Sequence, residues 1–320
     1  MSYKLDKINR TILYELDKNC RVSDNKLAKK VNRSRESVRN RIIKLEKDEI
    51  IQGFITSLNP SKFGYMFFKM YFKLANIPKE REKFYNYFKT LPGLYWFAEN
   101  DGAWDFHTTM YAKNIKEFNN LKNKIYTDFK NLIIKRDTGV LVNVRQYPKK
   151  YLIENETSDE HTLFGDEIIN NELTPLEKEL ITILSQNARI SIVELAKKTN
   201  SSIDIIRNKM KKLEQQGIII QYRIAINHTK LGYELFKALL YFENISEEDE
   251  HKLNEFCRKR KEINYIVRQF SAWDIELEIM VKNYEEFINI MNEIRLKFPT
   301  LKNYESLLMR EDLWVFGQTK

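Results

Sequence analysis

Only two cysteines occur in 320 residues, Cys20 and Cys257, far apart and without the spacing of a disulfide framework or a thiolate metal site. That scarcity points to a reducing compartment, and a cytoplasmic protein is expected. Histidine is also sparse: His107, His161, His228 and His251 stand singly, which argues for structural or surface roles rather than a metal centre. The longest apolar stretches, such as KALLYF, are far too short to cross a bilayer, and MSYKLDKINR has no apolar core of an export signal. Nor is there a glycine-rich phosphate loop or a nucleophile–base arrangement. The expectation is therefore no membrane partner, no metal, no cofactor and no catalytic residue.

What the chain has in excess is positive charge. Its net charge is +9 and its pI about 9.2. Such a balance favours polyanionic partners, nucleic acid or an anionic membrane face.

The second conspicuous feature is repetition. RSRESVRNRIIKLEKDEII (33–51) returns as SSIDIIRNKMKKLEQQGII (201–219), a spacing of 168 residues. The same spacing carries Leu5 onto Leu173, Arg21 onto Arg189 and Leu27–Lys30 (LAKK) onto Leu195–Lys198. It also carries Asn59 and Gly64-Tyr65 onto Asn227 and Gly232-Tyr233. Ala103-Trp104-Asp105 matches Ala272-Trp273-Asp274 at 169, one residue having been inserted between. Two copies of a unit of roughly 150 residues are expected. Between them, 149–172 is acidic and lacks sustained periodicity, so it reads as a linker, with Tyr151-Leu152-Ile153 and Leu163-Phe164 available to dock.

Each unit opens with helical periodicity. Ile8, Ile12, Leu13 and Leu16 share one face, as do Leu176, Leu180, Ile181 and Leu184. Thr174-Pro175 with Glu177 is a capping-box start. Ser23 and Ser191 are N-caps for a second short helix, and Ser34 and Ser202 cap a third. The third buries Val38, Ile42 and Leu45, or Ile206, Met210 and Leu213. The alternating QGFITSL and IQYRIAI read as a short hairpin or wing. Three helices with a tight turn before the third make a winged helix-turn-helix, whose third helix enters the major groove of double-stranded DNA.

Arg forks onto guanine, Asn onto adenine, and Lys or Arg hold phosphates. The candidate contacts are Arg33, Ser34, Arg35, Ser37, Arg39, Asn40 and Lys44 in the first copy, and Arg207, Asn208 and Lys211 in the second. Headpiece charge is similar, 13 Lys/Arg against 8 Asp/Glu over 5–58 and 9 against 5 over 173–226. Placement differs, because Ile203, Asp204 and Ile205 occupy the start of the second copy's third helix. The first headpiece is therefore expected to be the stronger reader.

The rest of each unit alternates differently. Phe68, Met70, Phe72 and Leu74 lie on one side of a half-buried strand, echoed by Phe236, Ala238, Leu240 and Phe242. A helix, two strands, a second helix and a closing strand follow, the βαββαβ order of a ferredoxin-like fold. The expected fold class is α+β in two tandem units, each a winged helix-turn-helix followed by a ferredoxin-like βαββαβ domain. The expected boundaries are 1–59, 60–148, 149–172, 173–227 and 228–320.

With LDKINRTILYELDKNCRVS, LAKKV, VRNRIIKLEKDEIIQGF and GAWDF, this arrangement resembles the leucine-responsive regulator/AsnC family of prokaryotic transcription factors, in both copies. The resemblance implies that the ferredoxin-like domain pairs through its sheet and takes a small effector, often an amino acid, near the turn between its second and third strands. Gly102 and Asp105 match the family's glycine-to-aspartate pattern there; in the second copy Asp274 remains and Ser271 replaces the glycine. Fusing two copies implies an intramolecular pseudo-dimer that reads an asymmetric site, with further homo-oligomer assembly left open. Two rivals stand beside it. Siroheme decarboxylases share the architecture, but their His-Cys-Tyr and Trp-Pro-Tyr-Asn segments are not found in LYWFAENDGAWDFHTTMY or INYIVRQFSAWDIELEIM. A ligand-sensing assembly protein that does not bind DNA is the other.

Overall fold

The computed structural model describes residues 3–153 and 160–314, for 311–314 the backbone alone. The first unit runs α1 (Lys7–Lys18), α2 (Asp24–Val31), α3 (Arg35–Lys47), β1 (Ile51–Leu58), β2 (Met66–Leu74), α4 (Pro78–Lys89), β3 (Leu94–Gly102), β4 (Phe106–Ala112), α5 (Ile115–Asp128) and β5 (Ile133–Gln146), and a short strand β6 (Thr162–Gly165) follows. The second repeats the order as α6 (Pro175–Gln186), α7 (Ile192–Lys198), α8 (Ile203–Gln215), β7 (Ile219–Ile226), β8 (Glu234–Phe242), α9 (Glu247–Lys259), β9 (Ile263–Phe270), β10 (Ile275–Val281), α10 (Tyr284–Lys297) and β11 (Leu301–Trp314).

Local chemistry explains where the headpiece helices start. Ser34 Oγ accepts from the Ser37 amide at 3.1 Å and Ser202 Oγ from the Ile205 amide at 3.2 Å, so each third helix is capped by the serine foreseen for it. Thr174 and Glu177 close the full capping box of α6. Asn32 and Asn200 both stand at φ +49°, the left-handed end of the helix before, which asparagine tolerates better than most residues.

The wing departs from the expected hairpin. Each copy supplies a single strand, and β1 pairs antiparallel with β7 of the other copy, Phe54 opposite Ile224 and Thr56 opposite Tyr222. A lone strand leaves a row of unpaired amides and carbonyls, and the equivalent strand is the nearest complement.

The ferredoxin-like sheets have strand orders β5-β2-β4-β3 and β11-β8-β10-β9, and they join at both edges, β3 to β11 and β5 to β9. The result is a closed ring of eight strands, with β6 added along β5. β5 and β11 are long enough, 14 residues each, to pair with their own sheet over one half and with the other unit over the rest. Helices cover the outside. Phe68, Met70 and Phe72 pack against Phe84, Phe88 and Phe118, and Ala238 and Leu240 against Leu253, Phe287 and Ile294.

The ring corrects the expectation of half-buried strands. The alternate residues of β2 and β8 face the opposite sheet rather than solvent, so Lys69, Tyr71, Lys237 and Leu239 are as buried as their apolar neighbours. Of the expected linker 149–172, residues 154–159 lie outside the described residues, as do 1–2 and 315–320 at the expected outer boundaries. The described parts are docked: Tyr151 and Leu152 are buried, and Phe164 on β6 packs edge-on against Phe67. Among the described residues no helix is long and apolar enough to cross a membrane.

Candidate nucleic-acid interface

α3 buries Val38, Ile42 and Leu45 and turns its other side outward. On that side Arg35, Arg39, Asn40 and Lys44 are exposed, and among the described residues their side chains meet no hydrogen-bond or ion-pair partner. Of the remaining candidates, Arg33 donates to the Asn32 carbonyl at 2.8 Å, while Ser34 and Ser37 form the cap. Arg41 is set apart: it braces α3 on α1 through Asp6 (2.7 Å) and Asn9 (2.8 Å). A basic helix face whose charges are left unpaired suits phosphate and base-edge contacts.

α8 presents a weaker version. Arg207 forms a surface ion pair with Asp204, and Lys209 and Lys212 reach Glu177 at 3.2 and 2.9 Å. Asn208 and Lys211 stay exposed and without a partner among the described residues, beside the half-exposed Ile203 and Ile205.

The headpieces are fastened to each other by contacts that recur in pairs. The Cys20 amide donates to the Tyr222 carbonyl and the Ala188 amide to the Phe54 carbonyl, both at 2.9 Å. Arg21 donates to the Ala188 and Ile190 carbonyls at 2.6 and 2.8 Å, and Arg189 pairs with Asp24 at 2.6 Å. The buried ion pair between the headpieces has no echo: Arg223 meets Asp17 through two nitrogens at 3.0 and 2.7 Å, with Lys149 on the same carboxylate at 3.0 Å. Ile55 and Ser185 hold the equivalent positions.

The turn flagged by Gly102 and Asp105 lies at a ring edge. Gly102 has φ +121°, and a Cβ there would sit 2.6 Å from the Ser306 carbonyl oxygen of β11. Asp105 accepts from the Leu74 amide at 2.7 Å and from Lys73 at 3.0 Å, and Lys73 also donates to the Gly102 carbonyl at 2.8 Å. Asp274 accepts the equivalent amide, Phe242, at 2.8 Å. Both aspartates thus fasten one strand start to another strand's end. Gly102→Ala is expected to cost about 1–3 kcal/mol through backbone strain and the clash with β11, read from urea denaturation.

Sequence reasoning missed a charged cluster inside the ring. Glu276, fully buried, accepts from Lys69 at 2.7 Å, Lys237 at 2.8 Å, Gln269 at 2.6 Å and the Trp273 indole at 3.1 Å, and from the Tyr71 hydroxyl. Lys237 also holds Glu278 at 2.8 Å. His107 occupies the matching place in the first unit, stacked on Tyr71 at 5.1 Å, and its Nδ1 meets the Asn100 amide nitrogen at 2.9 Å. Burial, with Lys237 and Lys69 nearby, holds His107 far below the usual imidazole value, so it is neutral at pH 7. Burial also pushes Lys69 down to about 8 against the pull of Glu276. The missed signal was a lysine at the same place in both apolar strands, Lys69 and Lys237, 168 residues apart.

These carboxylates make the protein acid-labile. Burial alone would raise Glu276 and Asp17, but Lys237 and Lys69 on the first, and Arg223 and Lys149 on the second, hold both below the ordinary range. Glu177 is held at about 2, its hydrogen bonds from Lys212 and Thr174 outweighing burial. Below about pH 5 the unfolded chain takes up protons that the folded chain refuses, so stability falls with pH. Urea midpoints measured from pH 7 to pH 3 should begin to fall below about pH 6.5, where the unfolded chain protonates His107 and the folded chain does not, and drop more steeply below about pH 5.

Known proteins share this construction. The description "AsnC-type helix-turn-helix domain" matches residues 5–46, and "winged helix-turn-helix DNA-binding" matches 173–220. An uncharacterised HTH-type transcriptional regulator of Pyrococcus furiosus is 39% identical over 64 residues, 20% of this chain, which spans only 43% of that relative. The HTH-type transcriptional regulator LrpA of Pyrococcus abyssi is 37% identical over 119 residues, covering 36% of this chain and 81% of LrpA. Among solved structures the siroheme decarboxylase NirDL matches 96% of this chain and 92% of its own with a TM-score of 0.63; at 16% identity that likeness is one of fold. With a long stretch of LrpA matched at this identity and an AsnC-type headpiece at its start, the chain belongs to the Lrp/AsnC family of transcriptional regulators.

Proposed function

We propose that this chain is a DNA-binding regulator that forms its dimer-like assembly within one polypeptide and reads an asymmetric double-stranded site. The basic face of α3 carries the reading: Arg35, Arg39, Asn40 and Lys44 are held outward along one side of the helix and meet no hydrogen-bond or ion-pair partner among the described residues, whereas the nearby Arg21, Arg33 and Arg41 are tied to carbonyls or a carboxylate. Arg33, Ser34 and Ser37 line the start of that helix, where groove contacts begin. α8 supports through Arg207, Asn208 and Lys211. A small effector, such as an amino acid, binds near Gly102 and Asp105, with Asp274 marking a weaker counterpart. The functional units follow the boundaries 1–59, 60–148, 173–227 and 228–320.

The test is binding of the intact chain to its own promoter DNA and to random DNA across a salt series, with footprinting. One chain per site is expected, protecting two unlike half-sites about 34 Å or a multiple apart, with log affinity falling linearly with log salt. Equal binding to promoter and random DNA, or two equal half-sites each needing a separate chain, would sink the reading. A second reading, a tetrapyrrole enzyme, draws on the whole-chain likeness to NirDL. Uptake of an iron tetrapyrrole by the purified protein, seen as a Soret band, would favour it instead.

A further inference from the structure

A cavity of about 480 Å³ lies between the wing ribbon and the inner face of the strand ring. Its size falls within the roughly 300–1,000 Å³ of small-molecule sites. Gly102, Asp105 and Asp274 do not line it, so it is separate from the turn discussed above.

The two units differ here in one direction. In the first, Phe67 lies opposite Tyr111 across β2 and β4, and the buried Tyr95 sets its ring edge-on to Phe67 at 5.0 Å. The Tyr95 hydroxyl donates to the Leu58 carbonyl at 3.0 Å. In the second unit the equivalent residues are Leu235, Met280 and Asn264, with Leu235 again opposite Met280. All three line the cavity. Aromatic rings have given way to side chains that cannot fill the same space, so the second unit leaves room where the first is packed.

Two further observations set the polarity of an occupant. Asn264 is only 4% exposed, and its side-chain Oδ1 is buried with no hydrogen-bond partner among the described residues. An unmet buried acceptor costs stability until a donor reaches it. The charged groups on the wall are matched already: Lys69 with Glu276, Arg223 and Lys149 with Asp17, and Glu278 with Lys237. A charged occupant would lose its hydration without finding a counterion, so a neutral one is favoured.

We propose that this cavity binds a small neutral phenol, an aromatic body carrying one hydroxyl. The ring takes the space that Tyr95 fills in the first unit, against Leu235 and Met280, and the hydroxyl donates to Asn264 Oδ1. A phenol titrates near pH 10, as tyrosine does, so it brings no charge into the site at pH 7. Because β1 and β7 form the roof and follow directly on α3 and α8, an occupant bears on how the two headpieces are seated. This goes beyond the DNA-binding reading and does not depend on it.

The test uses the full chain without DNA, so its failure is distinct from failure of the regulator reading. The probes p-cresol and 4-ethylphenol are titrated by calorimetry beside their methyl ethers, 4-methylanisole and 4-ethylanisole, which keep the ring and lose the donor. At least one phenol should bind one to one, and at least about tenfold more tightly than its ether. Asn264→Tyr restores the first unit's residue and should weaken that binding by a similar factor, because its own ring takes the space. Should that variant fail to fold, the methionine methyl NMR spectrum of the unaltered protein decides: the Met280 signal, assigned with Met280→Leu, must move on binding. Neither phenol binding at millimolar concentration, a phenol binding no better than its ether, undiminished binding to folded Asn264→Tyr, or an unmoved Met280 signal would each overturn the proposal.

Discussion

Alanine at Arg35 and Arg39 together lowers promoter affinity by at least about 30-fold and erases the preference for promoter over random DNA, because each well-made arginine–guanine fork is worth about 1–3 kcal/mol of discrimination. The melting temperature stays where it was: both side chains are exposed, and neither holds another group among the described residues. Lys44→Ala behaves differently. It weakens promoter and random DNA alike and lowers the salt slope by about 0.9, the signature of a lost phosphate contact. Arg41→Ala is the contrasting control, since its guanidinium braces α3 on Asp6 and Asn9; it lowers stability first and affinity only through it. Ile203→Ala with Ile205→Ala changes promoter affinity less than the arginine pair does. If that order were reversed, α8 would be the reader and the first headpiece the support.

Glu276→Gln is the most damaging conservative substitution expected in the ring, at about 3–5 kcal/mol. The amide keeps the shape of the carboxylate but removes the charge and turns one accepting oxygen into an NH2 that faces donors. Lys69 and Lys237 then lose the counterion they share, in a place water does not reach. Urea denaturation should show the loss, and the thermal midpoint should fall by roughly 10 °C. Asp128→Asn, which breaks an exposed pair with Lys124, is the reference and should change stability by less than about 1 kcal/mol. Equal effects for the two would mean that the buried cluster is not the electrostatic centre described above.

The cluster also bears on why the two units pair with each other. Lys69 comes from the first unit and Glu276 from the second, and His107, neutral, stands where a carboxylate would be needed for two first units to pair. Two such units would face buried lysines with no counterion, whereas unlike units satisfy each other. Ile55 and Ser185, opposite the one-sided Asp17–Arg223 pair, tell the same story nearer the headpieces.

Much of this was legible in one dimension. Serine caps at Ser34 and Ser202, the box at Thr174 and Glu177, and the spacing of Val38, Ile42 and Leu45 act within a few residues of themselves, so the helices followed from local rules. The alternation of Phe68, Met70 and Phe72 placed one face of β2 against helices for the same reason. The outward face of α3 was legible too, because the core positions of a helix leave the others exposed. The other face of β2 was not, since alternation says only that two sides differ, not what covers the second. Nor could periodicity reveal that a wing would find its partner 168 residues away, or that residues 162–165 would extend a sheet.

What the sequence determined by itself is therefore the inventory: two like units, their helices and strands, and a basic face on α3, all set by propensity, capping and period. Only the tertiary structure decided that the two sheets close into one ring, that Lys69 and Glu276 meet inside it, and that a cavity remains beneath the ribbon. Those depend on edges and charges from distant segments satisfying one another, and no window of sequence contains both partners.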